Sequence, residues 1–158
     1  MNRYIFLDFD GVINTPRHRH TLTQKGLPTR DEYGPFFDPS AVAQLEKIVA
    51  ATNAGIVITS SWKYKGIDKM RSLWALRGMP GTLLGITPTA IPNFMYARGR
   101  EVNMWLSENA PDNPLELRYV IIDDDTDFLP EQQPHLIITD PIIGLTSKDA
   151  EKAKAILL

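Results

Sequence analysis

The feature that most restricts the fold is a series of short apolar runs, each ending in oxygen-bearing side chains. Tyr4 to Phe9 closes on Asp8, Asp10 and Gly11, and Gly55 to Thr59 leads into Ser60 and Ser61. Tyr119 to Ile122 leads into Asp123, Asp124 and Asp125, and Leu136 to Ile138 ends at Thr139-Asp140-Pro141. These runs are strand-sized and continuous, as strands buried on both faces must be. Amphipathic stretches separate them. Asp38-Pro39 reads as an N-cap and first helical residue, after which Val42, Leu45, Ile48 and Val49 share one face. Further helices are expected over Asp68 to Arg77, stopping at Gly78, and over Glu101 to Glu108, with Val102, Trp105 and Leu106 turned inward. Leu83 to Thr87 reads as one more short strand before a proline-interrupted loop, and Thr146 with Asp149 makes a capping box for a terminal helix.

Strands alternating with helices predict an α/β fold of three layers, Rossmann-like, with a parallel sheet covered by helices on both faces. A length of 158 residues with 43% apolar content suits one domain spanning 1–158. From Gly11 to Asp38 the chain is polar, rich in turn residues and without sustained periodicity, so a long loop is expected at about 14–38. Loops of that length in compact domains are commonly functional.

Composition narrows the chemistry. With no cysteine, disulfides, zinc–thiolate sites and thiol nucleophiles are excluded, and the three histidines show no zinc-hydrolase spacing. A net charge of -2 gives no footprint for non-specific nucleic-acid binding. No run is long enough for a membrane span and no signal-peptide pattern opens the chain, so a cytoplasmic protein without a membrane partner is expected.

In parallel sheets ligands bind beyond the carboxyl ends of the strands. The residues to read are therefore Asp8 and Asp10, Thr59 to Ser61, Asp123 to Asp127, and Asp140. Single aspartates at strand ends often cap helices or end turns. Several gathered at one sheet edge would repel one another unless a cation joined them, and hard oxygen donors favour Mg2+.

The stretch Phe6-Leu7-Asp8-Phe9-Asp10-Gly11-Val12 resembles the first motif of the haloacid-dehalogenase-like (HAD) superfamily in its phosphatase form. Ile56-Val57-Ile58-Thr59 is similar to the second motif, Arg98 before a helix to the third, and Val120-Ile121-Ile122-Asp123-Asp124 to the fourth. A closer resemblance is to small bacterial and phage HAD-like proteins related to the HAD domain of multidomain RNA-repair proteins. It is carried by Ser60-Ser61-Trp62, by Arg98-Gly99-Arg100-Glu101 leading to Trp105-Leu106, and by Thr139-Asp140-Pro141 with Gly144-Leu145-Thr146.

The resemblance implies a HAD-like fold and a Mg2+-dependent phosphomonoesterase. Asp8 would be the nucleophile that forms an aspartyl-phosphate, and Asp10 the general acid and base. Gly11 allows the sharp exit of the backbone. Thr59, or Ser60 one residue on, would donate to a phosphoryl oxygen with help from Ser61. Arg98, with Arg100 as its rival, would offset charge. Asp8, the Asp10 carbonyl and either Asp123 or Asp124 would hold the metal. Trp62 and Lys63 could contact substrate, with Trp62 better suited to packing against the sheet edge.

The insertion after the first motif is too short for a full cap domain, so the cap is minimal and the site open. An open site suits a bulky substrate, such as a nucleic-acid end or a phosphoprotein, better than a fully enclosed metabolite; the expected partner is a phosphorylated substrate, small molecule or nucleic-acid end. The basic run Arg17-His18-Arg19-His20 in the insertion could meet an anionic substrate or simply be a solvated loop. Other readings are a polynucleotide 3′-phosphatase or nucleotidase, a phospho-acceptor domain of receiver type, and a catalytically silent binding module. Asp10 argues for turnover, since a receiver holds its phosphate.

Overall fold

The computed structural model describes residues 2–90 and 95–158. Five parallel strands form the sheet: β1 (Asn2–Leu7), β4 (Gly55–Ile58), β5 (Leu83–Ile86), β6 (Leu117–Asp123) and β7 (Leu136–Ile138). The spatial order is β5-β4-β1-β6-β7, which puts β1 in the centre with the two other motif-bearing strands on either side. Register fixes the site: Leu7 lies opposite Ile58 and Ile122, so the residues that follow all three strands emerge together.

Side chains alternate between the two faces of a strand, and both faces here are apolar. Ile5, Leu7, Ile56, Ile58, Val120 and Ile122 pack on one side, beneath α2 (Pro39–Thr52), α3 (Ile67–Leu76) and α5 (Ser147–Leu157). Tyr4, Phe6, Val57 and Ile121 pack on the other, where α4 (Ala97–Asn109) brings in Val102 and Trp105. The Trp105 ring meets Tyr4 and Phe6 edge-on at 5.0 and 5.5 Å. The architecture is thus the expected three-layer α/β fold. No helix among the described residues is long and apolar enough to cross a membrane.

Some boundaries differ from expectation. Asp38 caps α2 by accepting the Ser40 N–H, and Thr146 with Asp149 forms the capping box of α5, both as read from sequence. The inward face of α2 is Ala41, Leu45, Ile48 and Thr52, with Val42 and Val49 half-buried beside it. Helix α4 begins four residues before Glu101, so Arg98 lies inside its first turn rather than ahead of it. Gly99 permits this, because a Cβ there would collide with Gln132 Oε1 and the Leu129 backbone. Of the proline-interrupted loop, residues 91–94 lie outside the described residues.

The largest correction concerns the stretch at about 14–38. It holds α1 (Pro16–Gln24) and a hairpin of β2 (Arg30–Asp31) and β3 (Gly34–Pro35). Thr15 caps α1 by accepting the His18 N–H, and Pro16 occupies its first position. The hairpin is pinned by Arg77. Its fork bonds both Asp31 oxygens at 2.7 and 3.2 Å and the Gly34 and Pro35 carbonyls at 2.9 and 3.0 Å, and it lies 4.5 Å from the Phe37 ring centre. Burial works to raise the Asp31 carboxyl, but Arg77 and backbone N–H groups outweigh it and hold the group below its ordinary value.

Arg77→Ala strips partners from one carboxylate and two carbonyls, and should cost about 2–4 kcal/mol. Urea denaturation should show this as a lower midpoint at unchanged slope.

Candidate active site

Where β1 ends, the Asp8 carboxylate is buried and its Oδ1 accepts the Phe9 N–H at 2.8 Å. Asp123, at the end of β6, is fully buried, and its Oδ1 accepts the Asp125 N–H at 2.9 Å. One nitrogen joins the two. Arg98 Nη1 lies 3.2 Å from Asp8 Oδ2 and 2.9 Å from Asp123 Oδ2. Arg100, its rival in the sequence, is exposed and donates through Nε to the Met95 carbonyl.

Asp124 completes the group: Asp8, Asp123 and Asp124 each offer an oxygen within 4.8 Å of the others. Both Asp123 and Asp124 therefore belong to the cluster, although the sequence left a choice between them. Gly11, at φ +79°, is what admits Asp124, since a Cβ on residue 11 would strike the Asp124 carboxylate. The Gly11 carbonyl is fixed in turn by Thr139 Oγ1 at 2.7 Å. Thr139 was noted in the sequence only as part of a run after a strand, and its partner lies 128 residues away.

The electrostatics follow from burial. Desolvation, then the adjacent Asp123 charge, push the Asp8 carboxyl up to about 8, against the pull of Arg98 and the Phe9 N–H. Asp123 is also raised, first by burial, with Arg98 opposing. Burial opposes the Arg98 charge, but Asp123 and Asp8 more than compensate and hold the guanidinium above its ordinary value. Among the described residues the three gathered carboxylates have one fixed cation, Arg98, paired with Asp8 and Asp123, and the cluster has room in its electrostatics for further positive charge. Its all-oxygen donor set fits a hard divalent ion such as Mg2+, which these three acids could hold.

Asp10 stands apart from the trio. Its Oδ1 takes hydrogen bonds from Asn14 Nδ2 at 2.7 Å and Trp62 Nε1 at 3.2 Å, and among the described residues Oδ2 has only a 3.4 Å contact to the same indole. Trp62 is buried, with its ring against Phe9 and Phe37, so the packing role read from sequence is accompanied by a grip on Asp10.

The three hydroxyls after β4 separate cleanly. Ser60 Oγ accepts the Trp62 N–H and caps the 3-10 turn over Ser61–Lys65. Thr59 Oγ1 is buried with no hydrogen-bond partner among the described residues, and Ser61 is exposed. Lys63, expected at the substrate, is instead buried. Its ammonium donates to Glu101 Oε1 at 3.0 Å, Thr87 Oγ1 at 2.9 Å and the Pro88 carbonyl at 3.2 Å, which occupies all three protons. Glu101 Oε2 also accepts the Ala90 N–H, so the pair ties the segment after β5 to α4. Asp140 accepts the Ile142 N–H within an exposed turn, and Asp127 accepts the Tyr96 N–H. A depression of about 470 Å3 opens above the cluster, lined by Asp8, Asp10, Ser61, Tyr64, Arg98 and Asp124 among others.

A carboxyl held above its unfolded value of about 4 favours the protonated native state, so native stability is lost as pH rises from about 4 to about 8. Asp8→Asn never ionises. In chelator its Tm should exceed that of the wild type at pH 8 and converge with it toward pH 4. Differential scanning calorimetry across that range checks this. A constant offset between the two proteins would refute it.

Comparison with known proteins bears on the same residues. The sequence profile described as "HAD domain in Swiss Army Knife RNA repair proteins" matches residues 4–150, which includes every residue of the cluster. Neither the comparison with curated proteins nor that with solved structures gave a match. HAD domains are in general hydrolases of the phosphatase type, and they typically use Mg2+. The chain belongs to the family of HAD domains found in Swiss Army Knife RNA repair proteins.

Proposed function

We propose that this protein is a Mg2+-dependent phosphomonoesterase that works through an aspartyl-phosphate on Asp8. The observation that carries this reading is the separation of the acids into two groups. Asp8 sits with Asp123, Asp124 and Arg98, whereas Asp10 is held out of that cluster by Asn14 and Trp62. One carboxylate is thus kept beside positive charge and the other is held beside it with one oxygen nearly free.

Asp8 attacks phosphorus, and the bond to the leaving oxygen breaks as Asp10 gives that oxygen its proton. Asp10 Oδ2, which has the weaker contact, is the oxygen left to carry the proton. The resulting Asp10 carboxylate then removes a proton from water, whose oxygen attacks the phosphoryl group and releases Asp8. Arg98 keeps the Asp8 side chain in place and offsets charge on the phosphate. Thr59 Oγ1, the unpartnered hydroxyl, donates to a phosphoryl oxygen, and exposed Ser61 contacts the ester. A divalent ion on Asp8, Asp123 and Asp124 supplies the charge that lets an anionic nucleophile meet an anionic phosphate. The Asp10 carbonyl is its further ligand in this reading.

The family's association with RNA repair supports a second reading, in which the ester is a phosphorylated nucleic-acid end. The open depression accommodates either an end of this kind or a small molecule.

Phosphate release from monoesters should require both Mg2+ and Asp8. Asp8→Asn should abolish it, and Asp10→Asn should slow it about 100- to 10,000-fold. No magnesium-dependent release from any monoester, nucleotide or phosphorylated oligonucleotide would refute the proposal. Trp62→Phe keeps a ring but removes the indole donor, and should lower kcat about fivefold. KM should stay near that of the wild type.

A further inference from the structure

A second depression, of about 580 Å3, meets the first at Asp10, Ser61 and Asp124 and extends toward α1 and the β2–β3 hairpin. Arg19, Arg30 and Lys65 line it, and among the described residues its only carboxylates are the two it shares with the first depression, Asp10 and Asp124. Its volume is that of a ligand site in its own right.

The elements that bring these cations together are braced. Arg19 lies on α1, a helix with no buried residue whose start is fixed by the Thr15 cap, and whose Arg17 binds Asp38 Oδ2 at 3.1 Å. So short and polar a helix gains little from burial or from its own propensity. What it contributes is the charge it displays. Arg30 lies on the hairpin that Arg77 pins from behind, and Gly34 of that hairpin lies against the Trp62 ring so closely that a Cβ would sit 2.8 Å from Cη2. Lys65 donates to the Tyr33 carbonyl and lies 4.8 Å from the Trp62 ring centre. The side chains of Arg19 and Arg30 have no hydrogen-bond or ion-pair partner among the described residues. Two unpaired guanidinium groups and an ammonium thus face one depression that opens onto Asp10.

We infer that this depression is a subsite for a second anionic group, so that the substrates are phosphate monoesters carrying a further phosphate; the inference rests on the phosphohydrolase reading above. The phosphate to be hydrolysed sits over Asp8 while the second phosphate is bound by Arg19, Arg30 and Lys65. Guanidinium forks match the oxygens of a phosphate. The second phosphate can be the backbone phosphodiester of a strand or the other monoester of a bisphosphorylated small molecule.

The test compares adenosine 3′,5′-bisphosphate and a 3′-phosphorylated dinucleotide with adenosine 3′- and 5′-monophosphates, in wild type and in the Arg19→Ala/Arg30→Ala double variant. At least one two-phosphate probe should be preferred in kcat/KM. The double variant should reduce that preference at least tenfold, through KM. Which probe is preferred identifies the source of the second phosphate. Lys25→Ala, an exposed charge outside the depression, should leave the preference within twofold of wild type. No preference, a preference the double variant leaves intact, or an equal loss in Lys25→Ala would overturn the subsite. If nothing is hydrolysed the phosphohydrolase reading fails by itself, and calorimetric binding of adenosine 3′,5′-bisphosphate then decides. Binding at least tenfold weaker in the double variant supports the subsite, and equal binding or none overturns it.

Discussion

The Arg98 guanidinium between Asp8 and Asp123 is the contact on which the rest of the site depends. Two carboxylates from the ends of adjacent strands are buried there, and burial without compensation is among the costliest things a fold can do with a charge. A single Nη1 within 3.2 Å of both acids makes the arrangement tolerable without completing it. Asp124 adds a third acid at the edge, so the cluster reaches neutrality only by holding protons, as raised Asp8 and Asp123 do, or by taking a further cation.

Around this contact lies a second ring of constraints, and most of it holds backbone or other side chains rather than substrate. Lys63 and Glu101 form a nearly dry ion pair, with side chains 3% and 8% exposed. Burial pulls the Lys63 ammonium below its ordinary value while Glu101 opposes this. Because the pair also takes Thr87, Pro88 and the Ala90 N–H, it fixes the approach of the chain to the helix that carries Arg98. Thr139 does the same for Gly11 from the far side of the sheet, and Gly144 lets the turn after β7 close on the Val12 carbonyl. The first-motif loop is therefore held from several directions, as a site of fixed geometry requires.

The sheet and the acid cluster were legible because continuous apolar runs and the polar residues that end them are local signals. Leu136–Ile138 is a strand with the bounds read from sequence, and Asp38 caps α2 as its Asp-Pro pair implied. Helix α4 starts four residues ahead of the apolar periodicity that marks it in the sequence, and Gly99 in that first turn is there for the close approach of Gln132. Helix α1 left no hydrophobic periodicity to detect, because Leu22 is its one apolar side chain besides Pro16. Its Thr15-Pro16 start repeats the Asp38-Pro39 signature and was the signal available. The choice among Thr59, Ser60 and Ser61 depended on which hydroxyl caps the next turn. The indole grip on Asp10 spans 52 residues and leaves no local trace.

The short insertion after the first motif acquires its meaning from Trp62. Its ring packs on Phe9 and Phe37 and receives Lys65 on its face, Gly34 lies against its edge, and its Nε1 holds Asp10. One side chain therefore couples the wall built by the insertion to the acid of the site. An insertion too small to close over a substrate can still define one side of a binding surface, provided it is rigid. Here the rigidity comes from the Arg77 fork and the Thr15 cap. Because that wall is anchored to the indole that holds Asp10, a group bound against it would lie next to the carboxyl to which the proposed mechanism gives the proton. Binding and protonation would then be set by the same few contacts, with no lid required to bring them into register.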